Sequence, residues 1–246
     1  MDYISVADFR IPVVTTAEMR EVDRLMIEYG IQLLQMMENA GRNLAELARR
    51  FLDGSVSGKH IIIAAGKGNN GGGGLVAARH LYNWGAQITV LIQTDALSGV
   101  TEIQWNILKK LSFALATKVN EKAIEFLNKD YGDLILDAMI GYGLSGNPRG
   151  WAAKIIEKIN SLSVPVIALD VPSGLDATTG EIYNPCVQAT ATMTLALPKA
   201  GLVKPDVKQV VGSLYLADIS VPDVLYKEMG IDVTTLFLND TLIRLN

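Results

Sequence analysis

A glycine-rich segment with two adjacent asparagines is the part of the sequence best suited to bind a ligand. Residues 66–74 read Gly-Lys-Gly-Asn-Asn-Gly-Gly-Gly-Gly and separate a short apolar run from a helical pattern that begins near Leu75. Glycine lets ligand atoms approach the backbone, and the amides at the start of a helix attract anions. Asn69 and Asn70 add amide donors and carbonyl acceptors that suit a polar ligand or a cation. We therefore predict a phosphate site here, with a flexible turn that binds nothing as the alternative.

Two further apolar runs each end in an aspartate, and both aspartates are candidates for chemistry. Asp137 precedes a second glycine-rich loop, and Asp170 is followed three residues later by Ser173. The carboxyl ends of parallel strands meet at one edge of a sheet, so we expect these side chains to lie near Asn69 and Asn70. Their oxygens could bind a cation, or one carboxylate could act as an acid or base, and the sequence does not divide these roles. Capping a helix or facing solvent is the alternative for Asp137.

The other reactive side chains give weaker signals. Lys199 follows a later apolar run and either brings an ammonium group to the same edge or faces solvent. His60 and His80 fall at the start of a predicted strand and inside a predicted helix, so both are expected to be structural or surface residues. Cys186 has no histidine near it in sequence and is expected to be a small, buried, apolar residue.

Short sequence patterns bear on two other enzyme classes, dehydrogenases and serine hydrolases. Gly66, Gly68 and Gly71 match Gly-x-Gly-x-x-Gly, the dinucleotide-binding pattern of dehydrogenases. That pattern requires an acid at the end of the second strand, and Asp95 lies slightly beyond the expected position. A serine hydrolase is disfavoured because Ser173 lies in Pro-Ser-Gly and not in Gly-x-Ser-x-Gly.

The elements that must position these residues follow from capping and from periodicity. Thr15 and Glu18 form a capping box, so a helix is predicted to start there, and a second helix is predicted to end near Gly54. After residue 58, short apolar runs alternate with helical patterns, which is typical of a parallel sheet with helices on both faces. The predicted strands are residues 60–65, 86–92, 134–137, 164–169, 191–197 and 213–217. The predicted helices of this part are residues 75–84, 100–111, 151–159 and 222–228.

This alternation predicts an α/β fold with a mostly parallel central sheet and an N-terminal helical arm. No stretch rich in proline, serine or glycine has the character of a linker, so residues 1–246 are expected to form a single domain. The arm is expected to pack outside the sheet or against another subunit.

The composition excludes several classes of protein. Hydrophobic residues make up 49% of the chain and charged residues 20%, which is typical of a globular protein and not of a disordered one. The formal net charge of −4 provides no basic footprint for nucleic acid. One cysteine permits no intrachain disulfide, and two histidines are too few for a three-histidine zinc site. The N-terminus lacks a signal-peptide pattern, and no apolar run reaches the roughly 18–20 residues that span a bilayer, so we expect a cytoplasmic protein without membrane contact.

Six motifs occur in a fixed order along nearly the whole chain. They are Met-Glu-Asn-Ala-Gly at 37–41, Gly-Asn-Asn-Gly-Gly at 68–72 with Leu-Val-Ala-Ala-Arg-His at 75–80, Leu-Asp-Ala at 136–138 with the loop 141–146, Leu-Asp-Val-Pro-Ser-Gly-Leu-Asp at 169–176, Pro-Lys-Ala-Gly-Leu at 198–202 and Ala-Asp-Ile at 217–219. Together they closely resemble the NAD(P)H-hydrate epimerase family, whose domain also forms the N-terminal half of bifunctional nicotinamide-repair enzymes.

The resemblance implies a Rossmann-like three-layer α/β/α sandwich that interconverts the R and S hydrates of NADH and NADPH at C6 of the nicotinamide ring. It also implies a homodimer, and a separate NAD(P)H-hydrate dehydratase as functional partner. By matching positions, it implies a potassium ion on Asn70, Asp137 and Ser173. It implies substrate contacts on two loops and one aspartate, namely Asn69, Asn70, Gly71, Gly72, Gly73, Gly141, Tyr142, Gly143, Leu144, Ser145, Gly146, Asn147 and Asp170.

Asp170 is the candidate acid/base group for such a reaction. In this reaction the substrate could lose hydroxide from C6, and water could then add to the other face of the ring. The chain departs from the family at Gly73, where the family usually has an aspartate, so a carboxylate that could contact a ribose hydroxyl or orient the loop is missing. The competing hypothesis is a non-catalytic scaffold of the same fold that binds nucleotides or dimerises. A scaffold would not need to keep Asp137 and Asp170 together with Ser173.

Overall fold

The computed structural model describes residues 2–6, 9–94, 96–111, 116–119, 121–127, 132–233 and 236–246. Helices and strands alternate through most of this part of the chain. The α-helices are α1 (Thr16–Glu28), α2 (Leu33–Phe51), α3 (Asn69–Asn83), α4 (Gly99–Lys110), α5 (Glu121–Leu127), α6 (Gly150–Asn160), α7 (Lys208–Val211) and α8 (Asp223–Glu228). The strands are β1 (Asp2–Val6), β2 (Phe9–Val13), β3 (His60–Ala65), β4 (Gln87–Ile92), β5 (Ala116–Val119), β6 (Leu134–Ala138), β7 (Val166–Leu169), β8 (Ala191–Leu195), β9 (Ser213–Ala217) and β10 (Leu242–Arg244).

Eight of the described strands form one sheet in the order β10-β9-β8-β7-β6-β3-β4-β5. Neighbours from β9 to β5 run parallel, and the edge strand β10 is antiparallel to β9. The order reverses at β3, which pairs with β4 on one side and with β6 on the other. Ligands of open α/β sheets bind outside the carboxyl ends of the strands at such a reversal.

Successive residues of β3 face two different layers of helices. Ile61 and Ile63 join a buried cluster that includes residues of α2, α3 and α4. Ile62 and Ala64 join a second cluster with residues of α5 and α6. A strand that is covered on both faces needs apolar residues at every position, which explains the continuous apolar run in the sequence. The three-layer arrangement around a mostly parallel sheet is therefore confirmed.

The N-terminal arm packs outside the central sheet of its own chain. Helix α1 begins at the predicted capping box, in which the Glu18 amide donates to the Thr15 hydroxyl and the Thr15 amide donates to the Glu18 carboxylate. Just before the helix, the Val14 amide donates to the carbonyl of Pro198, and the Ala200 amide donates to the carbonyl of Val14. The antiparallel β1–β2 pair that precedes α1 is not indicated by the sequence pattern, because two five-residue strands carry too short an alternation.

The helix after β3 starts earlier than the sequence pattern indicates. The predicted start near Leu75 is wrong, because α3 begins at Asn69 and includes the glycines at 71–74. A Cβ atom at Gly72 would lie 2.4 Å from the Met37 sulfur, so the glycines let α3 approach α2 closely. Glycine is a poor helix former, and here tertiary packing outweighs that propensity.

Gly71 provides the sharpest test of this packing. A Cβ atom there would lie 1.8 Å from the carbonyl oxygen of Gly66, a backbone atom that cannot move aside cheaply. We expect Gly71→Ala to lower the free energy of unfolding by roughly 1–3 kcal/mol or more, as overpacked buried sites do. Gly68→Ala is the matched control, since a Cβ atom at Gly68 would meet nothing within 4 Å. Urea unfolding of both variants measures the difference, and equal stabilities would contradict this account.

Candidate active site

A cavity of about 570 Å³ opens where the strand order reverses. The residues after β3, β6 and β7 form its sheet side, and α1 and α2 of the N-terminal arm supply much of its remaining wall. The arm contributes mainly apolar side chains, namely Met19, Leu33, Met36, Met37 and Ala40. A mostly apolar wall with a few polar groups is typical of sites for small molecules.

The structure brings part of the predicted substrate-binding set to this cavity. The predicted residues that line it are Asn69, Asn70, Gly73, Gly141, Tyr142, Gly143 and Asp170. Gly71 and Gly72 are buried inside α3 instead, and do not line the cavity. The rest of the loop after β6 runs beyond the lining, and consists of Leu144, Ser145, Gly146 and Asn147. The Asn147 side chain accepts a hydrogen bond from the Asn184 amide at 3.0 Å, so it braces a neighbouring loop.

A buried ion pair joins Asp170 and Lys199 at the cavity wall. The Lys199 Nζ atom lies 2.6 Å from Asp170 Oδ1, and the two side chains are 0% and 5% exposed. The ammonium also donates to the Leu195 carbonyl at 2.8 Å and to the Thr194 hydroxyl at 3.2 Å. Its three donors are therefore used inside the protein, and a charge-assisted hydrogen bond of this kind fixes the position of the carboxylate. Of the two placements predicted for Lys199, the structure shows the one at the sheet edge.

The backbone at Asp170 turns sharply to present the side chain. Its φ angle is +68°, in the left-handed region that aspartate and asparagine enter more readily than other non-glycine residues. The Asp170 amide still donates to the carbonyl of Met193 at 2.7 Å, so the turn follows directly on the strand pairing of β7 and β8. The end of the strand therefore positions the carboxylate, as the sequence pattern indicates.

Asp23 of α1 is a cavity residue that the sequence reasoning missed. Its side chain lines the cavity and accepts a hydrogen bond from the Tyr142 hydroxyl. Burial raises the pKa of Asp23, although the Tyr142 hydrogen bond and the nearby Lys199 ammonium oppose that shift. Burial and the Asp23 carboxylate also raise the pKa of the Tyr142 phenol, which therefore remains a donor. The sequence does carry a signal for this residue. Asp23 lies four residues after the buried Met19, so it places a carboxylate on the apolar face of the helix.

Asp137 and Ser173 form a buried cluster behind the cavity. The Ser173 hydroxyl donates to Asp137 Oδ1 at 2.7 Å, and the Ser173 amide donates to Asp137 Oδ2 at 2.8 Å. Burial raises the pKa of Asp137 to about 6, while the hydrogen bonds from Ser173 oppose that shift. The Ile140 amide, in turn, donates to the Ser173 oxygen at 2.9 Å, and Ile140 lines the cavity. The cluster is thus separated from the cavity by one lining residue.

Asn70 lies at the boundary between the cavity and this region. Its side chain would be in contact with a Cβ atom at Gly141, which is the neighbour of Ile140. The Asn70 Nδ2 atom is buried and has no hydrogen-bond partner among the residues that the structure describes. Turning the amide over would place its carbonyl oxygen at that position, because the two orientations differ only in which atom is nitrogen. A buried polar atom without a partner is costly, which makes the Asn70 side chain a candidate for contact with a bound ligand.

The start of α3 provides the positive end that the sequence predicts for an anion. Lys67, Gly68 and Asn69 are exposed and line the cavity, and Gly68 is the N-cap residue of the fifteen-residue helix. Free backbone amides at such a helix start attract phosphate groups. Asp95, the acid that a dehydrogenase would use, lies outside the described residues.

The remaining sequence candidates have structural environments. His80 Nε2 lies 2.9 Å from Glu38 Oε1 between α3 and α2, and His60 Nε2 lies 2.9 Å from the Thr89 hydroxyl. Cys186 is buried, and burial raises the pKa of its thiol to about 12. None of these three side chains lines the cavity. Within the described ranges, no helix has the length and apolar character to cross a membrane.

The departure at Gly73 lies in the cavity wall. A Cβ atom at this position would lie 2.9 Å from Leu169 Cδ2, which is the movable end of a side chain. The chain therefore presents bare backbone at the point where the resemblance implies an acidic side chain.

Comparison with known proteins identifies the family. A family model described as YjeF-related protein N-terminus matches residues 33–201. An NAD(P)H-hydrate epimerase of Dehalogenimonas lykanthroporepellens is 40% identical over 235 residues, which cover 94% of this chain and 92% of that protein. A bifunctional NAD(P)H-hydrate repair enzyme, Nnr, of Moorella thermoacetica is 41% identical over 217 residues. Those residues are 86% of this chain and 41% of that enzyme, so the chain spans less than half the length of this bifunctional relative.

A solved structure agrees with these sequence matches. The crystal structure of the yeast protein ynu0, YNL200c, superimposes with a TM-score of 0.80 at 26% sequence identity. The match covers 96% of this chain and 100% of the yeast chain. The fold, the family model and the near-full-length relative together show that this chain belongs to the NAD(P)H-hydrate epimerase family, with the YjeF-related N-terminal domain.

Proposed function

We propose that the chain is an NAD(P)H-hydrate epimerase, which interconverts the R and S hydrates of NADH and NADPH in nicotinamide-nucleotide repair. Relatives named for this activity match along most of this chain and of their own length. The observation that carries the proposal is the buried Asp170–Lys199 pair in the wall of a cavity at the carboxyl ends of the strands. A non-catalytic scaffold is not favoured, because it would gain nothing from a buried charge pair facing a cavity.

The proposed reaction breaks and remakes one carbon–oxygen bond. The C6–O bond breaks, the leaving hydroxide takes a proton and departs as water, and the N1 lone pair forms a C6=N1 bond. Water then attacks C6 from the other face and gives up a proton, which yields the other epimer. The ring is positively charged between the two steps, and an ionised Asp170 in a cavity of low dielectric stabilises that charge. Asp170 also serves as the acid/base candidate, and Lys199 holds it in place.

The start of α3 suits the phosphates of the substrate. The Lys67 ammonium and the free amides near Asn69 supply positive charge at one end of the cavity. A nucleotide whose phosphates lie there would extend its nicotinamide ring along the apolar wall towards Asp170. Tyr142 and the glycines after β6 would then form one side of the ring pocket.

We also propose that potassium binds to Asn70, Asp137 and Ser173. An amide oxygen, a carboxylate and a hydroxyl are the hard oxygen ligands that such a cation prefers. The unpartnered position on Asn70 supports the assignment, because the carbonyl oxygen would point there with the amide turned over and could bind the cation. The fully buried Asp137 carboxylate supports it as well, because a cation would offset the cost of its burial. Bound there, the ion would supply fixed positive charge beside the substrate site.

The partners of the chain are proposed on the same basis. A dehydratase that acts on the same hydrates would consume the product, either as a separate chain or as a further domain such as the bifunctional relatives contain. We also propose that the chain forms a homodimer, as the resemblance implies.

Conversion of one purified epimer tests the proposed activity. The protein is incubated with the separated R-hydrate, and the S-hydrate is followed by chromatography in potassium and in choline buffers. We expect exchange well above the spontaneous rate, and faster exchange in potassium, because the cation would complete the site at Asn70. Exchange no faster than in buffer alone would refute the epimerase, and hydride exchange with intact NADH would indicate a dehydrogenase instead. Equal rates in the two salts would refute the potassium proposal alone.

A further inference from the structure

We propose that Asp23 is a second proton-transfer residue of this cavity, which works with Asp170 on the two faces of the substrate ring. The inference rests on the epimerisation proposed above and concerns the residues that carry it out. Asp23 belongs to α1 of the N-terminal arm, whereas Asp170 follows β7 of the sheet. The two carboxylates therefore reach the cavity from different layers of the fold.

The contacts of Asp23 position its carboxylate and leave one oxygen available to a ligand. Within the described part of the chain, its side chain accepts one hydrogen bond, from the Tyr142 hydroxyl, and makes no ion pair. The other carboxylate oxygen accepts no hydrogen bond from these residues, and Asp23 is a lining residue of the cavity. A carboxylate that only braces the backbone accepts from main-chain amides, as Asp176 does from the amides of Thr178 and Thr179.

The two carboxylates have different electrostatic environments. Asp170 is in contact with the Lys199 ammonium at 2.6 Å, so its charge has a partner inside the protein. Asp23 makes no ion pair with any residue that the structure describes. Burial together with the charge of Asp170 raises its pKa, although the Tyr142 hydrogen bond and the Lys199 charge oppose that shift. The titratable groups that interact with Asp23 are Tyr142, Lys199, Asp170 and Tyr226 of α8, and the guanidinium of Arg20 lies over the Tyr142 ring. A carboxylate held by an ammonium and a carboxylate held by a phenol have different surroundings, which suits Asp170 and Asp23 to the roles of base and acid.

This division suits a reaction that must release water from one face and accept it from the other. The Asp23 carboxyl gives its proton to the hydroxyl on C6 as the C6–O bond breaks, so that water leaves and the ring becomes a cation. A second water attacks the opposite face, and Asp170 takes its proton as the new C6–O bond forms. The reverse conversion exchanges the two roles. The enzyme carries one proton on the pair before and after each turnover, and solvent returns it to Asp23.

Asp23→Asn tests the proposal, with Glu21→Gln as the matched control on the same helix. Asparagine keeps the size of the side chain and an oxygen that can accept from Tyr142, but it cannot transfer a proton. We expect kcat/KM for R/S exchange to fall about 100-fold, which is the scale of one acid/base group, with little change in KM or in thermal stability. Glu21 is exposed and paired with Arg24, so its variant should match the wild type.

The pH dependence separates proton transfer from a structural role. The active form carries one proton on the pair, so the rate should fall as the pH rises through the pKa of Asp23. Tyr142 favours the ionised carboxylate, and Tyr142→Phe should therefore raise that pKa and move the fall to higher pH. A residue that only positioned the loop would lower the rate without moving this limb.

Each outcome decides one question. Wild-type protein without exchange would refute the proposed function, and with it the role of Asp23 in that reaction. Wild-type exchange with near-normal kcat/KM in Asp23→Asn would overturn this inference and leave the epimerase intact. A lower rate in Asp23→Asn, with the alkaline limb unmoved in Tyr142→Phe, would also overturn it, because that pattern belongs to a positioning residue.

Discussion

Replacing Asp170 by asparagine is expected to slow R/S exchange by roughly 10²–10⁴-fold, the range that a positioned acid/base group contributes. The variant loses both the proton-transfer group and the negative charge that stabilises the ring cation. Asparagine is the right substitution, because it also tolerates the left-handed backbone that Asp170 adopts at φ +68°. Steady-state kinetics with the separated R-hydrate measure the fall in kcat and any change in KM.

Substrate binding and a matched charge variant complete the Asp170 test. The hydrate should still bind to Asp170→Asn, as calorimetry can measure, because the start of α3 and the apolar wall are unchanged. Asp206→Asn removes the same charge from an exposed position outside the cavity and should exchange the epimers at the wild-type rate. Near-normal exchange by Asp170→Asn would remove this residue from the reaction.

Replacing Lys199 by methionine is expected to lower the free energy of unfolding by roughly 3–5 kcal/mol, the usual cost of breaking a buried ion pair from one side. Methionine fills nearly the same volume, so the loss comes from charge and not from a cavity. The Asp170 carboxylate would remain buried without its partner at 2.6 Å, and the Leu195 carbonyl would lose a donor. Urea unfolding measures the change.

The double variant Asp170→Asn with Lys199→Met isolates the interaction between the two charges. Because neither charge remains, we expect it to be more stable than Lys199→Met alone, even though it carries one more substitution. A double variant whose loss equals the sum of the two single losses would mean that the pair contributes nothing beyond its separate side chains. Such a result would also weaken the view that Lys199 holds Asp170 in position.

Part of the candidate site could be predicted because it depends on strand ends. Asp137 and Asp170 each follow an apolar run. Parallel strands bring such positions to the same edge of the sheet, independently of the conformation of the loops. The prediction was less successful where the backbone must choose between loop and helix. The glycines at 71–74 suggest a loop by propensity, yet they belong to α3 because α2 and β6 pack too closely for any side chain.

The sequence by itself determined the α/β alternation, the buried strands and the polar residues at their ends, because periodicity and chain order are local properties. Only the tertiary structure decided which side chains meet. Asp170 and Lys199 are 29 residues apart in sequence, and Asp23 and Tyr142 are 119 apart. Neither contact has a local pattern that specifies it, since each depends on how an arm or a later loop packs over the sheet. The charges and the burial that give these carboxylates their proposed roles arise from that packing.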